Sequence, residues 1–296
     1  MGVIPGMTDM MMGRRAMLGM GMGALGLAAV ARQGRGDGTA AWRWGVDYGA
    51  ATDPELARRF DLLVLEPHHA RPIAPLRGQD STLLGYVSLG EVEKGRPYFA
   101  ALDRAGALRA PNPDWPDARH VDLRHPEWRR TLIDIAVPAI LAKGYDGIFM
   151  DTLDNAEAME RQNPIENKGM VAAGAALVAA LRTRFPGIRL MLNRGYAALP
   201  DSAVHLDYLL GESMASRWSF AQKRYEMLSD SDWQWQAERL RAAKARNPRL
   251  ILTTLDYWDP ADERTVASLY ARERAAGFRP YVATLALDHL IAEPSG

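Results

Sequence analysis

The 296-residue chain has no cysteine, which removes disulfides, thiolate nucleophiles, cysteine zinc sites and lipoprotein acylation together. It also lacks a charge excess. Lysine plus arginine and aspartate plus glutamate number 36 each, so no surplus of cations is present to displace counterions from a nucleic-acid backbone, and nucleic acid is not an expected partner. No GxSxG elbow, P-loop or kinase motif set occurs, which leaves acyl and phosphoryl transfer without named players. His68 and His69 follow Glu66, but no HExxH and no further histidine at ligand spacing accompanies them. Neither a metal nor a cofactor is therefore expected. What remains is ordinary globular composition, 48% apolar and 24% charged, enough to bury a sizeable core.

The N-terminus reads as a leader. Arg14 and Arg15 precede an uncharged, glycine-rich stretch from Ala16 to Ala31, and Ala29-Val30-Ala31 offers a small-x-small cleavage site before Arg32. This is the layout of a Tat-like signal peptide over residues 1–31, with export to the periplasm or the medium as its consequence. Sixteen residues are short of the about 20 needed to cross a bilayer, so no stable membrane span is expected after cleavage. The Gly21–Gly26 match to GxGxxG has no strand before it and no acidic ribose partner after it, and is not a nucleotide site. Residues 32–41 form a linker, 42–290 the folded unit, and 291–296 a tail.

From Trp42 onward short apolar runs alternate with helical stretches, the pattern of a parallel sheet. Eight strands are expected, at Trp42–Asp47, Leu62–Glu66, Leu83–Leu89, Gly147–Asp151, Ile188–Asn193, Tyr208–Glu212, Leu250–Asp256 and Arg279–Leu285. Helices are expected at Asp53–Arg59, Pro126–Lys143, Lys168–Arg184, Trp233–Arg246 and Pro260–Ala276. Eight such repeats make a (β/α)8 TIM barrel, in which all the loops that follow strands open on one face. The spacers 92–120 and 213–232 are long for simple crossovers and are places for binding elements.

Acidic and polar residues end these strands: Asp47-Tyr48, Glu66, Glu91, Asp151, Asn193-Arg194, Glu212 and Asp256-Tyr257. Helix capping accounts for Asp53, Asp122 and either Asp154 or Asn155, but glutamate is a poor N-cap, so Glu66, Glu91 and Glu212 ask for another reason. A bowl of carboxylates suits glycoside hydrolysis, which needs one carboxylic acid to protonate the leaving oxygen and a second carboxylate to attack the sugar or activate water. Asp151 and Glu212 end strands four and six, and alternate barrel strands feed one side-chain layer, so these two are the expected catalytic pair. Two strand spacings separate their backbones by roughly 9–10 Å, which leaves retention and inversion both open. Tyr48, Tyr86, Tyr196, Trp218, Tyr257 and Trp258 lie near the same strand ends and are expected to stack on sugar rings.

The segments Gly85-Tyr86-Val87-Ser88-Leu89-Gly90-Glu91, Tyr145-Asp146-Gly147-Ile148-Phe149-Met150-Asp151-Thr152-Leu153-Asp154-Asn155, Asn193-Arg194-Gly195-Tyr196 and Gly211-Glu212-Ser213 resemble the ordered motifs of glycoside hydrolase family 114. The resemblance runs from about Trp44 to Leu290. It implies a TIM barrel with endo-α-1,4-polygalactosaminidase-like activity on galactosamine or N-acetylgalactosamine polysaccharide. It places the family's catalytic pair on Asp151 and Glu212, and gives Asp47, Tyr48, Glu91, Asn193 and Asp256 as lining of the sugar subsite, which Tyr196, Tyr257 and Trp258 would complete. Two other readings stay open on the residues alone: a carbohydrate-binding barrel without turnover, and a different barrel hydrolase or isomerase.

Overall fold

A computed structural model describes residues 42–69, 72–113 and 115–294. The leader, the linker and the last two residues of the tail lie outside the described residues. Eight parallel strands are hydrogen-bonded in sequence order: β1 (Trp44–Asp47), β2 (Leu62–Leu65), β3 (Thr82–Ser88), β4 (Gly147–Asp151), β5 (Arg189–Asn193), β6 (Tyr208–Glu212), β7 (Ile251–Tyr257) and β8 (Arg279–Ala283). Each lies within a few residues of its expected position. The strands are buried nearly end to end, with Leu62 to Leu65 and Gly147 to Asp151 wholly so, as befits a parallel sheet covered on both faces. The indole of Trp44 donates to the Arg279 carbonyl at 2.8 Å, and Tyr48 N donates to Leu287 O at 2.6 Å, bringing the last strand back against the first. The result is the (β/α)8 barrel.

The helical layer is less regular than the sequence pattern. After β1 only the single turn Pro54–Ala57 forms, capped by Asp53 as expected, and after β2, among the described residues, only the 3-10 turn Ala74–Leu76. The expected helix Pro126–Lys143 divides into Pro126–Thr131, a π-helical turn Leu132–Ala136, and Val137–Leu141. Pro138 has no N–H and its ring crowds the carbonyl four residues earlier, that of Asp134, so the wider turn absorbs the misfit. The remaining expected helices form as Met170–Arg184, Asp230–Arg246 and Glu263–Ala275. Ser229 and Asp262 cap the last two through bonds of 3.1 Å from Asp232 N and Thr265 N.

Both long spacers carry antiparallel structure. After β3 the strands Glu91–Glu93, Leu108–Pro111 and Ala118–Val121 make a small sheet with the last in the middle. After β6 the strands Ser216–Ser219 and Arg224–Met227 make a hairpin. Fully buried Trp128 ties the first excursion to the barrel, its indole donating to Leu89 O at 2.9 Å. Among the described residues no helix is long and apolar enough to cross a membrane.

Candidate active site

Four consecutive strands deliver polar groups to one place. β4 ends in Asp151, β5 in Asn193, β6 in Glu212 and β7 in Tyr257, all buried. The side-chain amide of Asn193 donates to Asp151 Oδ1 at 2.9 Å and to Glu212 Oε2 at 2.5 Å. Those two oxygens are therefore no farther apart than the two bonds laid end to end, about 5.4 Å. Each carboxylate also accepts from a phenol, Asp151 Oδ2 from Tyr86 at 3.1 Å and Glu212 Oε1 from Tyr257 at 3.4 Å. An amide nitrogen that serves two acids fixes their separation and tilt at once, because its two N–H bonds diverge at a set angle.

The residue after each of the first three strand ends has a left-handed backbone: Thr152 (φ 63°), Arg194 (φ 47°) and Ser213 (φ 55°). Such conformations in non-glycine residues cost of order 1–3 kcal/mol each and persist only where the surroundings over-determine them. Here the compensation is visible. Thr152 N donates to Asp151 Oδ1 at 2.8 Å, and Thr152 Oγ1 donates to Asp151 O at 2.7 Å while accepting from Gly90 N at 2.9 Å. Gly90 has to be glycine, because a Cβ there would lie 2.3 Å from the Thr152 carbonyl oxygen. Arg194 N donates to Leu210 O at 2.8 Å and Ser213 N to Leu255 O at 2.7 Å. Ser213 O receives the amide of fully buried Gln236 at 2.7 Å, and Gln236 Oε1 in turn receives the Tyr196 hydroxyl at 2.7 Å. Three sharp turns thus aim Asp151, Asn193 and Glu212 at one another.

The other expected site residues divide. Tyr257 reaches the pair through Glu212, and Tyr48 meets Tyr86 edge-on at 5.1 Å. Tyr196 serves the Ser213 turn through Gln236, and burial pushes its hydroxyl above the ordinary phenol range. Glu91 sits in a polar cluster next to the Thr152 turn. Its Oε1 accepts from Asn155 at 2.6 Å and Asn112 at 2.8 Å, with His120 Nδ1 at 3.5 Å. Burial lowers His120 below its usual value. Asp47 braces its own loop, accepting from Gly49 N at 2.7 Å and from the Thr52 hydroxyl. Asp256 holds the start of the β6 hairpin, its Oδ1 accepting from Ala215 N at 2.7 Å and Ser216 N at 2.8 Å. Trp258 lies beside Tyr225 of that hairpin at 6.2 Å and donates to Asp262 at 3.0 Å. Glu66 is taken up by Arg96, at 3.2 and 3.3 Å, and by His68.

Three local readings are corrected. Asp122 does not cap the helix Pro126–Thr131, whose N-cap is His125, but accepts from Arg124 N and from Arg109. Asp154 and Asn155 do not cap the helix Asp154–Gln162, whose N-cap is Leu153 with no side-chain bond. Asn155 donates to Glu91, and Asp154 pairs with Arg194 at 2.8 Å. Desolvation, opposed by Arg194 and reinforced by Asp151 and Glu212, raises Asp154 to about 6. Behind the barrel wall Asp256 is raised to about 6 by burial, against the pull of its two backbone donors. Glu273, from the helix Glu263–Ala275, is raised to about 8 by burial and by the Asp256 charge.

Comparison with known proteins gives the family and agrees with the fold. The sequence model of glycoside-hydrolase family GH114 matches residues 27–296. An uncharacterized protein of Deinococcus radiodurans is 29% identical over 250 residues, 78% of this chain and 75% of its own length. The glycoside hydrolase domain of PelA from Pseudomonas aeruginosa superposes with a TM-score of 0.73 at 31% identity, covering 85% of this chain and 98% of that one. Ega3 from Aspergillus fumigatus, solved in complex with galactosamine, has a TM-score of 0.61 at 15% identity over 86% of this chain and 98% of its own.

Proposed function

The chain belongs to glycoside-hydrolase family GH114, and from that premise we propose that it is an exported enzyme cleaving α-1,4 linkages in galactosamine-containing polysaccharide, with Asp151 as nucleophile and Glu212 as acid and base. The observation that carries the mechanism is the Asn193 bridge. Retaining glycosidases hold their carboxyl groups about 5–5.5 Å apart, whereas inverting ones leave roughly 6.5–9.5 Å for a water. Two oxygens tied to one amide nitrogen within about 5.4 Å favour the closer, retaining arrangement. Asp151 attacks the anomeric carbon as Glu212 protonates the departing glycosidic oxygen. Water then opens the glycosyl ester while Glu212 takes its proton. Asp151 is assigned as the nucleophile because Tyr86, Asn193 and Thr152 N all donate to its carboxyl and hold it in place. The polymer is chosen from the family and from the galactosamine bound to Ega3, and export from the twin-arginine leader.

Incubation with polygalactosamine, its partly acetylated form and a neutral galactan tests the substrate, and NMR of the first products reads the anomer. Products from the amino-sugar polymer with the anomeric configuration retained are expected. An inverted product, or turnover of the neutral polymer alone, overturns the reading. D151N and E212Q are each expected to lower kcat by about 10²–10⁴-fold with unchanged unfolding curves, and full activity in either variant refutes the pair. N-terminal sequencing of protein recovered outside the cytoplasm is expected to begin after Ala31.

A further inference from the structure

The buried polar cluster around Glu91 takes no part in the steps above, yet two chains of hydrogen bonds lead from it to Asp151. The first starts at the Glu91 side chain. Asn155 and Asn112 donate to its Oε1 at 2.6 and 2.8 Å. Trp115 N donates to Asn112 Oδ1 at 3.3 Å, which leaves the Asn112 nitrogen turned toward Glu91. His120 is the cross-strand partner of Glu91 in the small sheet, and its Nδ1 lies 3.4 Å from the Asn155 nitrogen. Asn155 N in turn donates to Thr152 O at 3.2 Å, and Thr152 N to Asp151 Oδ1 at 2.8 Å.

The second chain starts at the Glu91 backbone. Glu91 N donates to Ser88 Oγ at 3.1 Å, and Ser88 Oγ lies 2.6 Å from Thr152 Oγ1. Thr152 gives its own proton to Asp151 O, so Ser88 is the donor between the two hydroxyls. Leu89 N also donates to Asp151 O, at 2.8 Å. Bonds from amides to a carboxylate are roughly twice as strong as bonds between neutral groups, so the Glu91 side chain is the firmest tie between the loop after β3 and the turn after β4. We propose that Glu91 is a positioning residue, which clamps the small sheet onto the left-handed Thr152 turn and thereby sets the aim of the Asp151 carboxyl, in place of the sugar contact that the family resemblance implies for it. This inference rests on the assignment of Asp151 as the nucleophile.

Two measurements test it. The first needs no substrate and follows deuterium exchange at Leu89, Gly90 and Thr152, with the amides of β5 as reference. E91A is expected to speed exchange at those three by at least about tenfold relative to β5. E91Q, whose amide oxygen still accepts from both asparagines, is expected to restore it. Acceleration spread evenly over the barrel, or none at the three amides, overturns the proposal. The second is steady-state kinetics on polygalactosamine and its partly acetylated form. E91A is expected to lower kcat by about 10–10²-fold, the cost of a small misplacement, with KM unchanged on both polymers, and E91Q to stay within about threefold of wild type. A residue that touches the sugar would raise KM in E91A and E91Q alike, and that result overturns the proposal. N155D sets two acids against each other and is expected to lower kcat. E91Q/N155D, in which the new amide donates to the new carboxylate, is expected to recover most of that loss, and a double variant no better than N155D overturns the clamp. Should E91A fail to fold, E91Q and the double variant carry the test. Absence of polymer cleavage by wild type, with exchange at Leu89 and Thr152 still responding to E91A and E91Q, would sink the hydrolase reading and leave the clamp intact.

Discussion

The Asn193 amide holds two acids with one nitrogen, so shortening or charging that side chain disturbs both. N193A is expected to lower kcat by about 10²-fold, the usual cost of a small misplacement of reacting groups, with little change in KM. N193D places a third carboxylate between Asp151 and Glu212, where like charges disfavour ionisation. Its activity is expected to fall below that of N193A at neutral pH and to recover as the pH is lowered. A flat pH profile for N193D relative to N193A would contradict this. Asp151 and Glu212 were legible in the sequence because each ends an apolar run, and position along a strand is enough to place a side chain at the barrel mouth. Asn193 was legible as a position but not as a bridge, since a hydrogen bond to residues 42 and 19 positions away leaves no trace in local pattern. The roles of Asp154 and Asn155 were misread for the same reason. Capping is a local preference, and it lost to Arg194 and Glu91, which only the fold brings near.

At the scale of elements, the strands followed the sequence closely and the helices less so. A buried parallel strand needs a short apolar run between breakers, which Leu62–Leu65 and Gly147–Asp151 provide on their own. The crossovers need only enough chain to return, so after β1 and β2 single turns suffice and no periodicity exists to be read. The sheet after β3 and the hairpin after β6 were visible only as long spacers, because their pairing is set by partners tens of residues apart. The first of these is fastened to the turn after Asp151, where Gly90 meets Thr152. G90A is expected to destabilise the protein by about 1–3 kcal/mol, as overpacking does, and to lower kcat by displacing Thr152 and with it Asp151. Chemical denaturation and steady-state kinetics read the two effects separately, and a variant of wild-type stability and rate would show that the contact yields freely.

For the whole molecule, the buried acids Asp256 and Glu273 set a pH dependence of stability. Both are raised, from 3.8 to about 6 and from 4.5 to about 8, so the folded state favours their protonated forms. The unfolded chain gives up these protons at lower pH. Their contribution is therefore full below about pH 4 and is lost as the pH rises through 6 to 8. E273Q keeps the acceptor for the Trp233 indole, 2.5 Å from Glu273 Oε1, without the ionisable proton. Its Tm at pH 8 is expected to exceed that of wild type by at least about 2 °C, with the gap closing at pH 5, and equal gaps at both pH values would contradict the assignment. The return of β8 against β1 has a dynamic consequence. Among the described residues these two strands share no ladder like the ones that join all the others, and an indole and a loop amide hold the seam. Opening is easiest where the fewest backbone bonds must break together, so amides of Trp44–Asp47 and Arg279–Ala283 are expected to exchange with deuterium sooner than those of β4, β5 and β6. The strands that carry Asp151, Asn193 and Glu212 lie across the barrel from that seam, in the part of the wall expected to open least.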